Sequence, residues 1–386
     1  MFNRTQTLAG LGRESCFLWG ARQTGKSTLL QALFPDAPRY DLLRSDEYSR
    51  LQTRPALLRE ELLTLPPGSG PVVIDEIQKV PALLDEVQWL IVNRRLRFIL
   101  CGSSARKLKR TGANLLGGRA LRFELFPLAS PEIPGFELLR ALNHGLLPRH
   151  YLSDAPVPLL QAYVGDYLKE EIAAEALARN VPAFGRFLES AAFSNGEIVN
   201  FQNIASDCGV SAPTVKEYFQ ILQDTLLGRW VPSYQRRPKR RVIQSPRFYF
   251  FDVGLANVLL KRGPIAPRSE AFGRAFEHFI FQELVAHSHY SGLGYPISYW
   301  RTTSQLEVDF ILGEHQVAVE RQRQSGATVH LVEVFAVALA QCARPAVQRV
   351  VDGLGDAVEA RIAGHDLPGG GHPQFVHQAH QPVQDL

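Results

Sequence analysis

The chain has one methionine and four cysteines in 386 residues. Cys16, Cys101, Cys208 and Cys342 are widely scattered and lack ligand spacing, so neither a disulfide framework nor a zinc site is indicated, and a reducing cytoplasm is the expected setting. No apolar run approaches the roughly 20 residues that a spanning helix needs. The opening stretch, MFNRTQTLAGLGRESCFLWG, has neither a long apolar core nor a small-residue cleavage site. A secreted or membrane-spanning role is therefore not expected. A large charge excess is also missing: the net charge is only +4, so charge must act through local clusters. Residues 321–386 contain no Lys, Tyr, Trp or Asn and a single Ile, Ile362, which sets them apart from the rest.

With 45% hydrophobic and 21% charged residues, the composition is that of a globular chain of two or three domains. The apolar run SCFLWG (15–20) suits a buried parallel strand, and KSTLLQALF (26–34) has helical spacing of Leu29, Leu30, Leu33 and Phe34. Between them Gly20 and Gly25 precede Lys26 and Ser27, matching G-x-x-x-x-G-K-[ST] at every fixed position. A loop of Gly20, Ala21, Arg22, Gln23, Thr24, Gly25, Lys26, Ser27 and Thr28 can turn successive amides and a helix N-terminus toward phosphates. Lys26 then reaches the β and γ phosphates, and the Ser27 hydroxyl serves Mg2+.

A second buried strand, PVVIDEIQKV (71–80), ends in acids. Asp75 is expected to hold Mg2+ through water, and Glu76 to polarise the attacking water, which favours hydrolysis over binding alone. RFILCGSS (97–104) reads as a third strand whose Ser103 or Ser104 faces the γ-phosphate or the water. From Arg94 to Arg122 there are nine Arg or Lys and no acid. That run suits an arginine finger, a nucleic-acid contact or a solvated basic loop.

GARQTGKSTLL, VVIDEIQKVP, CGSSARKLKRTGANLLGGRALRFELFPLASPE and YVGDYLKEEI together resemble the bacterial and archaeal AAA-type ATPases whose P-loop module is fused to a C-terminal domain of unassigned function. The resemblance covers roughly residues 4–320. It implies an ATP- and Mg2+-binding module in which Lys26, Ser27, Asp75 and Glu76 hold the roles given above. It also matches Arg119 of LLGGRALRFEL to a Gly-Arg position where an arginine finger or sensor sits and acts on a neighbouring copy in a homo-oligomer.

A Pro- and turn-rich stretch places a boundary near residue 150. LLQAYVGDYLKEEIAAEALA (159–178) then has the repeat of a core-packed helix. Over 200–228, Ile204 and Ala205 lie on a short helix, Gly209 in a tight turn, Ser211 at a cap, and Pro213 in the first turn of a second helix. Val215, Tyr218, Phe219 and Leu222 give that helix an apolar face, with Lys216 and Gln220 outside, which outlines a helix-turn-helix. YQRRPKRRVIQSPRFYFFD follows as a basic hairpin or wing, and between Pro232 and Arg262 eight basic residues stand against one acid, Asp252. Duplex DNA across residues 200–247 is one partner that this excess suits; a winged helix that binds protein is the other.

FGRAFEHFIFQELV reads as an amphipathic helix carrying Glu277, and strands over 297–320 carry Asp309 and Glu320. Helical Glu, strand Asp and Glu-x-Lys form the metal site of restriction-endonuclease-like nucleases, a region that the resembled family carries. Gln322 stands in the lysine position, which argues against nuclease catalysis and for a structural remnant. A reading-frame change just after Glu320 would account for the odd composition of 321–386.

The expected fold is an α/β P-loop three-layer sandwich with a parallel sheet (1–150), a helical and winged-helix region (151–250), a small α/β nuclease-like remnant (251–320) and a divergent tail (321–386). The expected function is ATP binding and slow hydrolysis, with the nucleotide state controlling a module that touches DNA. The alternative is a nucleotide-gated signalling or scaffolding protein with a protein partner.

Overall fold

The strand runs that read as continuously apolar do so because both of their faces are covered. The computed structural model describes residues 2–12, 14–104, 106, 108, 116–168, 180–234, 245–301, 307–313 and 317–319. Strands β1 (Ser15–Trp19), β2 (Arg39–Asp41), β3 (Val72–Asp75), β4 (Phe98–Gly102) and β5 (Ala120–Glu124) form one sheet in the order β2-β3-β4-β1-β5, with every pairing parallel. Along β1, Cys16 and Leu18 pack with Leu29 and Leu30 of helix α1 (Lys26–Leu33), whereas Phe17 and Trp19 face the opposite side. There they meet Leu51 of α2 (Ser45–Thr53), Leu58 of α3 (Ala56–Leu62) and Leu83 of α4 (Leu83–Arg94). Alternation along one strand thus builds a three-layer α/β sandwich, the fold expected for a P-loop module.

Helices α5 (Leu138–His144), α6 (Pro148–Leu152) and α7 (Pro156–Ala162) follow. The single helix expected from residue 159 differs in its described part: α7 stops at Ala162 and the chain widens into a π-helical turn over Tyr163–Leu168. There the Tyr163 ring lies edge-on to His150, and its hydroxyl donates to the Arg22 carbonyl at 3.4 Å. Residues 169–179 lie outside the described set.

Two capped helices stand where the sequence placed them over 200–228. Helix α8 (Val181–Phe193) precedes α9 (Phe201–Cys208) and α10 (Ala212–Asp224). Asn200 caps α9 by accepting from the amides of Gln202 and Asn203; Gly209 turns at φ 66°; Ser211 caps α10 by accepting from Thr214. Val215, Tyr218, Phe219 and Leu222 are buried against Phe184 and Phe187, while Lys216 and Gln220 are exposed. An antiparallel ribbon of β6 (Gly228–Val231) and β7 (Arg247–Phe250) completes this unit. The basic residues Arg236, Arg237, Lys239, Arg240 and Arg241 between these strands lie outside the described residues.

Helix α11 (Val253–Leu259) leads to the 21-residue α12 (Glu270–Tyr290), which packs on an antiparallel sheet β10-β9-β8. Its strands are β8 (Ile297–Arg301), β9 (Glu307–Leu312) and β10 (Val317–Val319). Phe279, Phe281 and Leu284 of α12 share one core with Phe126, Leu128, Ala129 and Ile133, the segment that leaves the parallel sheet. Glu320, Gln322 and the tail from 321 onward are not among the described residues. Among those that are, no helix is long and apolar enough to cross a membrane.

Candidate functional site

The nucleotide loop leaves β1 at the C-terminal edge of the parallel sheet. A Cβ on Gly20 would stand 2.5 Å from the Leu125 carbonyl oxygen, and Gly25 has φ 94°, so the spacing of the two glycines follows from sterics. Lys26 is buried and donates to the carbonyls of Gly20 at 2.7 Å and Ala21 at 3.1 Å, while Thr24 ties back to Ala21 at 2.9 Å. Ser27, in the first turn of α1, donates to Asp75 Oδ2 at 2.6 Å. A hydroxyl and a carboxylate meeting in this way form the oxygen pair that Mg2+ takes beside a phosphate chain. The donor set therefore fits both groups that the sequence implies.

Because β4 lies between β1 and β3, its end falls beside both the loop and the acids. Glu76 has left-handed backbone (φ 56°, ψ 44°), which turns its side chain in from the end of β3, where it is buried. Gln78 donates to Glu76 Oε2 and, at 3.1 Å, to Ser103 Oγ, which lies 3.4 Å from the same carboxylate oxygen. Ser103 is thus placed against the candidate base. Cys101, one turn of the pleat below, is fully buried, and burial followed by the charge of Asp75 pushes its thiol pKa up. It is a packing residue, not a nucleophile.

Sequence reasoning missed Arg4 and Gln78. Arg4 donates to the Thr24 carbonyl at 2.6 Å and the Phe126 carbonyl at 2.6 Å, and pairs with Glu132 at 2.9 Å, bracing the loop from the N-terminal side. Nothing local marks it, because its partners are set by the fold. Gln78 was in view inside VVIDEIQKVP, where its spacing of two after Glu76 was the available signal.

Arg119 does not join this constellation. It is exposed and precedes β5, whose first residue pairs with Ser15 at the opposite end of the sheet, whereas Glu124 pairs with Trp19 beside the loop. Five strand residues, roughly 16 Å, separate it from its own nucleotide loop. Other basic residues of that stretch hold structure: Arg94 donates to Leu65 O, Arg97 to Gly70 O, and Arg106 to Asp224.

The second acidic candidate is built differently. Glu277 and Asp309 do approach one another, but around the guanidinium of Arg247, 3.6 Å from the first and 3.9 Å from the second. That side chain is 2% exposed and also lies 4.5 Å over the Tyr299 ring. Tyr249 donates to Glu277 at 2.6 Å. Among the described residues, no group of three His, Cys, Asp or Glu side chains is arranged to hold a metal. An internal cation, Arg247, stands between the two acids that the sequence offered as metal ligands.

Comparison with known proteins gives three family matches. Residues 12–133 match an AAA domain, 136–265 a domain of unknown function (DUF8612), and 272–360 another domain of unknown function (DUF4143). The last match continues past Glu320. Uncharacterised proteins of Mycobacterium bovis and Mycobacterium tuberculosis are each 25% identical over 301 residues. That alignment covers 76% of this chain and 66%, just under two thirds, of each relative. Among solved structures, a Walker-type ATPase of Pyrococcus abyssi is 18% identical with a TM-score of 0.44, covering 67% of this chain and 96% of its own. The Orc1 protein of Aeropyrum pernix, solved with DNA, is 14% identical with a TM-score of 0.25, covering 66% and 88%. Neither superposition is close enough to carry an argument. Loop geometry, sheet order and the AAA match agree that the N-terminal part has the α/β P-loop NTPase fold.

Proposed function

We propose that the protein binds ATP with Mg2+ and hydrolyses it slowly, and that the nucleotide state controls the C-terminal helix-turn-helix unit, which contacts duplex DNA as a winged helix. The observation that supports this best is the convergence of Lys26, the Ser27–Asp75 pair and the buried Glu76–Gln78–Ser103 cluster at one edge of the parallel sheet. Bound Mg2+ supplies charge neutralisation as the γ-phosphoryl group passes to water. Loop amides and Lys26 hold phosphate oxygens, and Ser27 and Asp75 hold the ion. Glu76 orients the water and takes its proton, and Ser103 steadies Glu76. Arg119 reaches such a site only from a neighbouring copy, so its role as a finger carries a homo-oligomer with it.

A protein partner in place of DNA is the second reading. It is favoured by α10 itself, whose exposed face carries Lys216 and Glu217 together and so lacks a strong positive field. ATP hydrolysis by the parent, with and without duplex DNA, tests both. Turnover that rises with DNA supports the first. No DNA binding at all overturns DNA contact and leaves the second, and binding that is insensitive to salt, or that survives changing Arg236, Arg237, Arg240 and Arg241 to Ala, overturns contact through the basic stretch.

A further inference from the structure

Helix α10 ends against the hydrolytic corner of the P-loop module. Asp224 is its last residue, and the Asp224 carbonyl, one of the acceptors a helix terminus leaves free, takes the Ser104 hydroxyl at 3.3 Å. The Arg106 amide donates to the same Ser104 oxygen at 3.1 Å, and Arg106 Nη1 donates to Asp224 Oδ2 at 2.9 Å. Gln220, one turn earlier on α10, holds the other carboxylate oxygen at 3.0 Å. The Arg106 and Asp224 side chains are only 11% and 16% exposed. An acid at a helix C-terminus is opposed by the helix dipole, whereas a cation there is favoured. Asp224 is therefore in an adverse position that its pairing with Arg106 offsets. Ser104 directly follows Ser103, which is fully buried and touches both Gln78 and Glu76.

We propose that Ser104, Arg106 and Asp224 are positioning residues for hydrolysis. They tie the end of β4 to the end of α10, so the seating of the helix-turn-helix unit fixes Ser103, and through Gln78 and Ser103 the direction in which Glu76 presents its carboxylate. This rests on the ATPase function proposed above. It adds the route by which the C-terminal half reaches the chemistry, through residues that touch neither nucleotide nor water.

The test is a double-mutant cycle on the full chain: Arg106→Ala, Asp224→Ala and both together. Steady-state ATP hydrolysis is measured beside binding of a fluorescent ATP analogue and thermal melting. Each single change is expected to lower kcat about tenfold, the scale of a small misplacement at the reacting centre, with KM and analogue affinity held within about twofold. The double variant should fall no further than either single one, because both break the same link. Asp224→Glu, which keeps the pair, should recover most of kcat. Unchanged kcat in the single variants, or losses that multiply in the double, overturns the proposal. So does a loss of kcat matched by equal losses of analogue affinity and melting temperature. If an alanine variant does not fold, the isosteric Asp224→Asn decides on the same criteria. A parent that binds the analogue and turns over, beside variants that do the same, sinks this link alone. A parent that neither binds nor hydrolyses sinks the ATPase reading and the link with it.

Discussion

The molecule holds buried or half-buried carboxylates in two halves and answers their charge in opposite ways. At the nucleotide loop, Asp75 is met by the Ser27 hydroxyl and the Glu76 amide, while Lys26 turns to the loop carbonyls. Among the described residues no Lys, Arg or His pairs with Asp75 or Glu76, which is the setting that the proposed Mg2+ role requires. In the C-terminal half, Glu277 and Asp309 enclose Arg247, a permanent cation attached to the chain. A third carboxylate, Glu283, accepts from the Ser130 amide and hydroxyl, both at 2.9 Å, and burial pushes its pKa up to about 7. Burial here favours the protonated form over the charge. Acidic residues at strand and helix positions therefore do not identify a metal site.

The largest effect expected from breaking this contrast is at the open site. Glu76→Gln should lower ATP turnover roughly 10²–10⁴-fold while analogue binding remains, and Lys26→Ala should abolish both, as read by phosphate release and fluorescence titration. At the closed site, Arg247→Ala leaves two carboxylates without their cation and should cost about 3–5 kcal/mol in urea unfolding of the C-terminal half. Adding Glu277→Gln and Asp309→Asn should return more than half of that loss. A single Arg247→Ala variant as stable as the parent would show that the guanidinium is not the countercharge.

Glu283 sharpens the comparison through pH. Its folded pKa lies above the ordinary value of 4.5, so the folded state holds the proton more tightly, and the stability tied to that proton is lost as pH rises from about 4.5 through about 7. The neighbouring charge of Glu132 acts in the same direction as burial. Glu283→Gln should flatten this slope, worth on the order of 2–3 kcal/mol between those limits, in melts followed at a series of pH values. The smallest effect belongs to Tyr249→Phe, which removes one donor to Glu277 while Arg247 stays. About 1.5 kcal/mol is expected in the same unfolding assay.

Local spacing made the nucleotide loop legible, because the left-handed backbone of Gly25 and the Lys26 contacts with Gly20 and Ala21 act within the loop itself, although the Leu125 carbonyl that excludes a side chain at Gly20 and the Asp75 partner of Ser27 come from distant strands. The caps of α9 and α10 were legible for the same reason, as Gly209, Ser211 and Pro213 carry their conformational preferences with them. Contacts across the fold were not. Arg106 and Asp224 are 118 residues apart and Arg4 and Phe126 are 122 apart, and no periodicity links such positions. The order of strands, which decides that Ser103 lies beside Glu76, is likewise a property of crossover connections. For Glu277 and Asp309 the residue types pointed to a metal, and the absent lysine argued against catalysis. That an arginine of β7 pairs with both acids is a contact across the fold, which local pattern does not carry.

The core shared by Phe126, Leu128, Ala129 and Ile133 with α12 also bears on inheritance. The AAA match ends at residue 133 and the next match begins at 136, which invites treating the junction as a breakpoint for recombination. A cut there would strip these four side chains of their packing and separate Ser130 from Glu283 and Phe126 from the Tyr290 hydroxyl. The halves can diverge in what they recognise, but a shuffled partner must reproduce the surface of α12 that this segment enters. Only a unit that carries the segment and its helix together keeps these contacts.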